Sequence, residues 1–207
     1  MPERARSQEV DGTEGLLICF EGLDGSGKST QARLLAEALA DEAALFKEPS
    51  SGPYGKKIRE SAGKGRLSPL SEHRLFLADR AHDLRFNILP ALKRGKTVIL
   101  DRYIVSNLAY QGALGLSLSA VMEDNSPFPP PDLVILLELD AAEALKRIRR
   151  SRPSAELFEE EGYLNKVAAV LKNLDYPALI RMDALLPPET LAEGILKIVN
   201  LLKESAL

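Results

Sequence analysis

The sequence predicts an α/β domain in which a parallel five-stranded sheet carries helices on both faces. Short apolar runs alternate with longer stretches of helical periodicity, the pattern of successive βαβ units. Three of the apolar runs are nearly continuous, as strands covered on both faces must be. Breakers at Pro49, Pro53, the segment SPFPPPD (126–132) and the prolines at 187–188 separate the elements.

In chain order, residues 1–14 read as a flexible tail without the apolar centre of a signal peptide. Strands are expected at LLICF (16–20), AALF (43–46), TVIL (97–100), LVILLEL (133–139) and ALIRM (178–182). Helical periodicity covers about 29–41, 54–62, 71–93, 103–111, 141–150, 160–174 and 188–204. Residues 15–207 form a single domain on this reading, with a lid at about 149–160. In such a sheet, ligands sit beyond the carboxyl ends of the strands.

Composition bounds the function. Of 207 residues, 45% are apolar and 28% charged, which suits a globular chain with a full core. The net charge of -3 supplies no global basic field, so nucleic acid is not an expected partner and any phosphate-binding cations must be local. The single cysteine, Cys19, excludes an internal disulfide and lies in an apolar run, where it reads as a small buried side chain. No apolar stretch is long enough to span a bilayer, and the cytoplasm is the expected compartment.

Directly after the first strand comes GLDGSGKS, which fits G-x-x-x-x-G-K-[ST] without a mismatch and marks a P-loop NTPase fold. Gly22, Gly25 and Gly27 let the backbone turn tightly and aim amides at phosphate oxygens. Lys28 reaches the β- and γ-phosphates, Ser29 holds magnesium, and the helix that follows directs its positive end at the anion. The ATP-binding stretch is therefore Gly22, Leu23, Asp24, Gly25, Ser26, Gly27, Lys28, Ser29 and Thr30. Asp24 is unusual beside a triphosphate. It is a solvated turn residue, an acceptor for a sugar hydroxyl, or a contact to magnesium-bound water.

The third strand ends in TVILDRY (97–103). Asp101 is placed like a Walker-B carboxylate, near magnesium. Arg102 projects from the strand edge, where it can hold a second phosphate bidentately or form a structural ion pair. On the next helix Tyr103, Asn107, Tyr110 and Gln111 fall at i, i+4, i+7 and i+8, so one face carries two phenols and two amides suited to a planar heterocycle. Ile104 and Leu108 point toward a core. Phe76 and Arg80, four apart, offer a ring to stack on a base and a donor for its edge; the plainer alternative buries Phe76 and pairs Arg80 with Asp79 or Asp83. His73 and His82 lack metal-pair spacing. The run RIRRSRP (147–153) carries four arginines, more than helix capping requires, and reads as a mobile segment that closes over phosphates and excludes water.

Together these stretches resemble thymidylate kinase: FEGLDGSGKSTQARLLAEAL, KEPSSGPYGKKIRES, LFLADRAH, ILPALKRGKTVILDRYIVSNLAYQGA and PDLVILLELDAAEALKRI, in the family's order. The resemblance implies a three-layer homodimer that transfers phosphate from ATP, with Mg2+, to dTMP. It places Asp24 near the acceptor sugar, Phe76 on thymine and Arg80 at its O4. Arg102 would hold the acceptor phosphate, Asn107 and Gln111 the base edge, and Tyr110 would close over the sugar. Glu48, Pro49 and Arg59 match the loop and helix flanking the acceptor. The chain departs from the family pattern at Lys47 and Leu157, where arginines are common, so Arg149, Arg150 or Arg152 supplies the lid cation. Gly25 stands where some members carry a catalytic arginine. An acceptor phosphate, largely ionised at pH 7, needs no general base, and none is evident. Other readings are a kinase for dUMP or a nucleoside, and a nucleotide switch; a switch would be expected to carry N-K-x-D for guanine and D-x-x-G after the third strand, and the chain has neither there.

Overall fold

The computed structural model describes residues 15–64, 67–151 and 161–205. Five strands, β1 (Leu17–Gly22), β2 (Ala43–Lys47), β3 (Thr97–Asp101), β4 (Leu133–Glu138) and β5 (Leu179–Asp183), form one sheet in the order β2-β3-β1-β4-β5. Every neighbouring pair is parallel. The three central strands are buried almost throughout, whereas edge strands β2 and β5 show an alternating pattern. An edge strand lacks one neighbour, so part of its surface stays wet.

Side chains one apart on a strand point to opposite faces. Leu17, Cys19, Val98, Leu100, Val134 and Leu136 therefore enter one core, and Ile18, Phe20, Ile99, Ile135 and Leu137 the other. The first core is closed by α4 (Leu89–Lys93), α5 (Ile104–Ala113), α7 (Ala141–Ser151) and α8 (Glu161–Asn173). The second is closed by α1 (Lys28–Leu39) and α9 (Pro188–Ser205). This is a three-layer α/β sandwich with helices on both faces. Burial pushes the Cys19 thiol well up and leaves it inert.

Two helical regions differ from the sequence expectation. The span 71–93 is not one helix. α3 (Pro69–Asp83) starts with Pro69 after Ser68, whose hydroxyl accepts the Ser71 amide, and gives way to a π-helical turn at Leu84–Ile88 before α4. Pro90 explains the break: it has no N–H, and its ring would collide with the carbonyl four residues back. The backbone widens instead, and the Leu89 amide donates to Leu84 O, five residues back. A further helix, α6 (Leu118–Asn125), lies where none was expected and packs on α5. α2 (Pro53–Lys64) packs on α3. Among the described residues no helix is long and apolar enough to cross a membrane.

Candidate active site

The P-loop joins β1 to α1, and its glycines are demanded by geometry. Gly22 has φ +138°, and a Cβ there would lie 2.5 Å from Leu137 O; at Gly25, φ is +80° and Ala144 O would be 2.8 Å away. The Ser26 amide donates to Leu23 O at 3.1 Å and closes the turn. Leu23 is buried beneath it, and Ser29 and Thr30 are exposed on the first turn of α1. Lys28 is buried, and its Nζ donates to Leu23 O at 2.6 Å. Burial, with help from the nearby Arg102, pulls its pKa down to about 8 against the opposing pull of Asp24, Asp101 and Glu21. The Ser26 hydroxyl is buried without a partner among the described residues.

Strand register brings the next groups to the same edge. Asp101 sits beside Phe20 of β1 and Lys47 of β2. Its Oδ2 accepts from Ser29 Oγ at 2.5 Å and Lys47 Nζ at 2.8 Å, and Lys47 Nζ also lies 3.2 Å from Ser29 Oγ. Burial pulls this carboxyl upward, but Lys28, Lys47 and Ser29 outweigh it and hold it below the usual range. Oδ1 is buried and has no partner among the described residues.

Arg102 adopts φ +79°, a conformation that turns its side chain back across the P-loop. Its NH2 donates to Asp24 Oδ1 at 2.7 Å and Tyr110 OH at 3.0 Å, and its NH1 to Ser106 Oγ at 2.8 Å. The guanidinium also stacks 4.7 Å from the Tyr110 ring centre. Burial opposes its charge, yet Asp24 and the other neighbouring acids raise its pKa well above normal. Below it lies Glu21, fully buried. Glu21 Oε1 accepts the Tyr103 amide at 2.8 Å, and Oε2 accepts the Ser106 hydroxyl.

A second buried network lies around α3. Arg80, without solvent exposure, grips Glu48 through two nitrogens at 2.8 and 2.5 Å and donates through NH1 to Asn125. Arg80 therefore pairs with Glu48 rather than with Asp79 or Asp83. Asp79 is committed to Ser50, whose amide and hydroxyl it accepts at 2.6 Å each. Arg59 NH1 donates to Pro49 O at 3.0 Å and Ser50 O at 2.7 Å, so the loop after the cis Glu48–Pro49 peptide is tied from α2 and α3. Asn125 Nδ2 donates to Asn107 Oδ1 at 2.9 Å. Asn107 Nδ2 and Gln111 Oε1 are buried without partners among the described residues. Phe76 is half-buried and belongs to neither core cluster.

Of the expected four-residue face on α5, Asn107 joins this network through Asn125, Tyr110 joins the Arg102 cluster, and Gln111 is buried. Tyr103 is a core residue, 1% exposed, with its ring 4.6 Å from the Arg80 guanidinium. In the arginine run, Arg147 is tied to Ala184 O by two bonds of 3.1 Å, while Arg149 and Arg150 are exposed on the last turn of α7. Arg152, Leu157 and most of the expected lid lie outside the described residues, as does the tail at 1–14. Sequence reasoning missed Glu21, Ser106 and Asn125. A carboxylate inside an apolar central strand could have flagged Glu21; nothing local distinguishes Asn125.

The family model described as thymidylate kinase matches residues 20–195. The chain belongs to the thymidylate kinase family. A thymidylate kinase from Xanthomonas campestris pv. campestris (strain B100) is 45% identical over 173 residues, covering 82% of this chain and 76% of that protein. A probable thymidylate kinase from Archaeoglobus fulgidus is 42% identical over 190 residues, covering 89% and 95%. Among solved structures, thymidylate kinase from Candida albicans superposes with a TM-score of 0.79 at 32% identity, covering 92% and 93%. As a family member the chain is a phosphotransferase that makes dTDP from dTMP and ATP, and neither a nucleoside acceptor nor a switch is favoured.

Proposed function

We propose that dTMP lies between α3 and α5, with ATP on Gly22–Thr30, and that the unsatisfied amides of α5 mark where the base belongs. Asn107 Nδ2 and Gln111 Oε1 are one turn apart, buried, and without a hydrogen-bond partner among the described residues. Leaving a buried polar group unpaired costs about 1–3 kcal/mol, so a ligand edge that pairs with both is strongly favoured there. Phe76 supplies a partly open ring for stacking, and Arg80 a donor locked by Glu48. Tyr110 faces the sugar. Pro49 and Arg59 shape the loop that borders it.

Phosphoryl transfer then rests on alignment and on cations placed where charge develops. Arg102 holds the acceptor phosphate, exchanging its bond to Asp24 for phosphate oxygens, and Asp24 is left to accept from the sugar. Lys28 exchanges its carbonyl bond for the transferring group. Arg149, Arg150 or Arg152 closes from the lid. The acceptor's ionised phosphate is itself the nucleophile, which accounts for a site without a basic histidine.

Magnesium fits the residues at the head of β3. Ser29 Oγ and the unpartnered Asp101 Oδ1 are hard oxygen donors, the kind this ion takes together with waters and phosphate oxygens. A magnesium ion held there with ATP would supply neutralisation of charge on the phosphates. Assembly as a homodimer belongs to the same proposal, and sedimentation of the purified chain tests it. The reaction is tested by kcat/KM for dTMP, dUMP, dCMP and dGMP. dTMP should lead, with dUMP about 10–200-fold behind, the usual value of one methyl group in an apolar pocket. A purine phosphorylated as well as dTMP would overturn the acceptor assignment.

A further inference from the structure

Glu21 is an anomaly in β1. It is a charged residue in the central strand of a parallel sheet, with no solvent exposure. Burial raises its pKa, and the groups that hold it come from one place, the turn between β3 and α5 and the first turn of that helix. That turn needs holding. Arg102 is a non-glycine residue at φ +79°, a region that strains any side chain bearing a Cβ. The N-cap of α5 is Tyr103, whose phenol makes no capping bond. Glu21 takes over that office from a neighbouring strand: it accepts the Tyr103 amide and places a carboxylate at the positive end of the helix.

The Ser106 hydroxyl extends this anchor to the site. It donates to Glu21 Oε2 and accepts from Arg102 NH1 at 2.8 Å. Arg102 thus stands between two carboxylates of different character. Asp24 is 40% exposed at its side chain and bonds NH2 directly, where an arriving phosphate can compete. Glu21 is sealed from solvent and acts on NH1 through Ser106, so no ligand reaches it. The two halves of the guanidinium are separable: one exchangeable, one fixed.

We propose that Glu21 is a positioning residue for phosphoryl transfer, holding the Arg102 guanidinium through the Ser106 hydroxyl and the Tyr103 amide while the other face of Arg102 is given to the acceptor phosphate. This rests on Arg102 binding that phosphate. The anchor sets where the acceptor oxygen lies without touching either substrate, so its loss falls on the acceptor and not on ATP.

Ser106→Ala cuts the link and keeps the Glu21–Tyr103 bond. It should raise KM for dTMP about tenfold, the scale of one charge-assisted bond, and leave KM for ATP within about twofold. Ser106→Thr, which keeps the hydroxyl, should restore most of the loss. Glu21→Gln, with equal volume but one acceptor oxygen fewer, should shift the same constant in the same direction. In an Arg102→Ala background, Ser106→Ala should add nothing, because the group it positions is gone. A purely structural role predicts otherwise: both KM values would move together, or the Ser106→Ala loss would add in full to that of Arg102→Ala. Either result overturns the proposal, as does Glu21→Gln with an unchanged KM for dTMP. An Arg102→Ala enzyme with normal dTMP affinity would instead remove the reading on which the anchor rests. Should Glu21→Gln fail to fold, Ser106→Ala and its double variant still decide the matter.

Discussion

The donor and acceptor sides of this site are built in opposite ways. On the proposed reading, the donor side is one uninterrupted turn of chain, Gly22 to Thr30, and its working groups would be backbone amides, a helix terminus and Lys28. The proposed acceptor side instead draws side chains from the P-loop (Asp24), the β3–α5 turn (Arg102), the loop after β2, and helices α3, α5 and α6. A phosphate looks the same in every nucleotide, so a backbone cradle of fixed shape serves it. A base and sugar must be told from their relatives, which takes donors and acceptors set at chosen points. Specific recognition therefore spreads over the fold, and so does the network that holds it.

The comparison breaks first at Lys28. If the donor side acts through charge alone, Lys28→Ala should lower kcat by about 10²–10³-fold, the usual loss of one electrostatic stabiliser of a transition state. Tm should barely fall, because burial already disfavours the ammonium that is removed. Steady-state rates beside a thermal melt check both halves; near-wild-type turnover in a folded variant would exclude the P-loop lysine from the mechanism.

Phe76→Ala probes the other side. Stacking ignores which base is present, so the variant should weaken dTMP, dUMP and dCMP together by about 1–3 kcal/mol and leave KM for ATP alone. Phe76 is half-buried and outside both core clusters, so the fold should tolerate the change. Loss confined to one base, measured as KM across the three monophosphates, would show that the ring reads an edge feature and does not merely stack.

The same contrast governs what could be read from the chain. The donor side was legible because the spacing of Gly22, Gly27, Lys28 and Ser29 follows from a single local turn. The five strands were legible because strands covered on both faces must be apolar, and the layers follow from that. For the acceptor side, helical spacing put forward Phe76, Arg80, Asn107, Tyr110 and Gln111, which the structure places on two helices. It could not find the partners that fix them. Glu48 meets Arg80 across 32 positions, and Ser106 meets Glu21 across 85. Such pairs are set by strand order, which no local period encodes. Asn125 was hidden further by α6, a short helix inside a stretch that reads as a connection. Tyr103 shared a helical face with Asn107 on spacing but belongs to the core, because it precedes the first turn and its backbone is extended rather than helical.

The smallest expected effect concerns pH and returns to Lys28. Arg102, Asp24, Asp101 and Glu21 all face it, and burial leads in bringing its pKa to about 8 in the ligand-free chain. The sign follows from proton counting. Above about pH 8 the folded chain has lost a proton that the unfolded chain keeps up to the ordinary lysine value, so ligand-free stability rises with pH in that window. Bound phosphates favour the ammonium and restore its pKa, so ADP binding above pH 8 must take up a proton and weaken as pH rises. Between pH 7 and 8.5 the affinity should fall about fourfold by this count. Isothermal titration of ADP in two buffers of different ionisation enthalpy reads the proton uptake directly. Lys28→Ala should abolish it. Uptake that persists in that variant would move the titrating group elsewhere in the cluster, and the donor side would then depend on its side chains as closely as the acceptor side does.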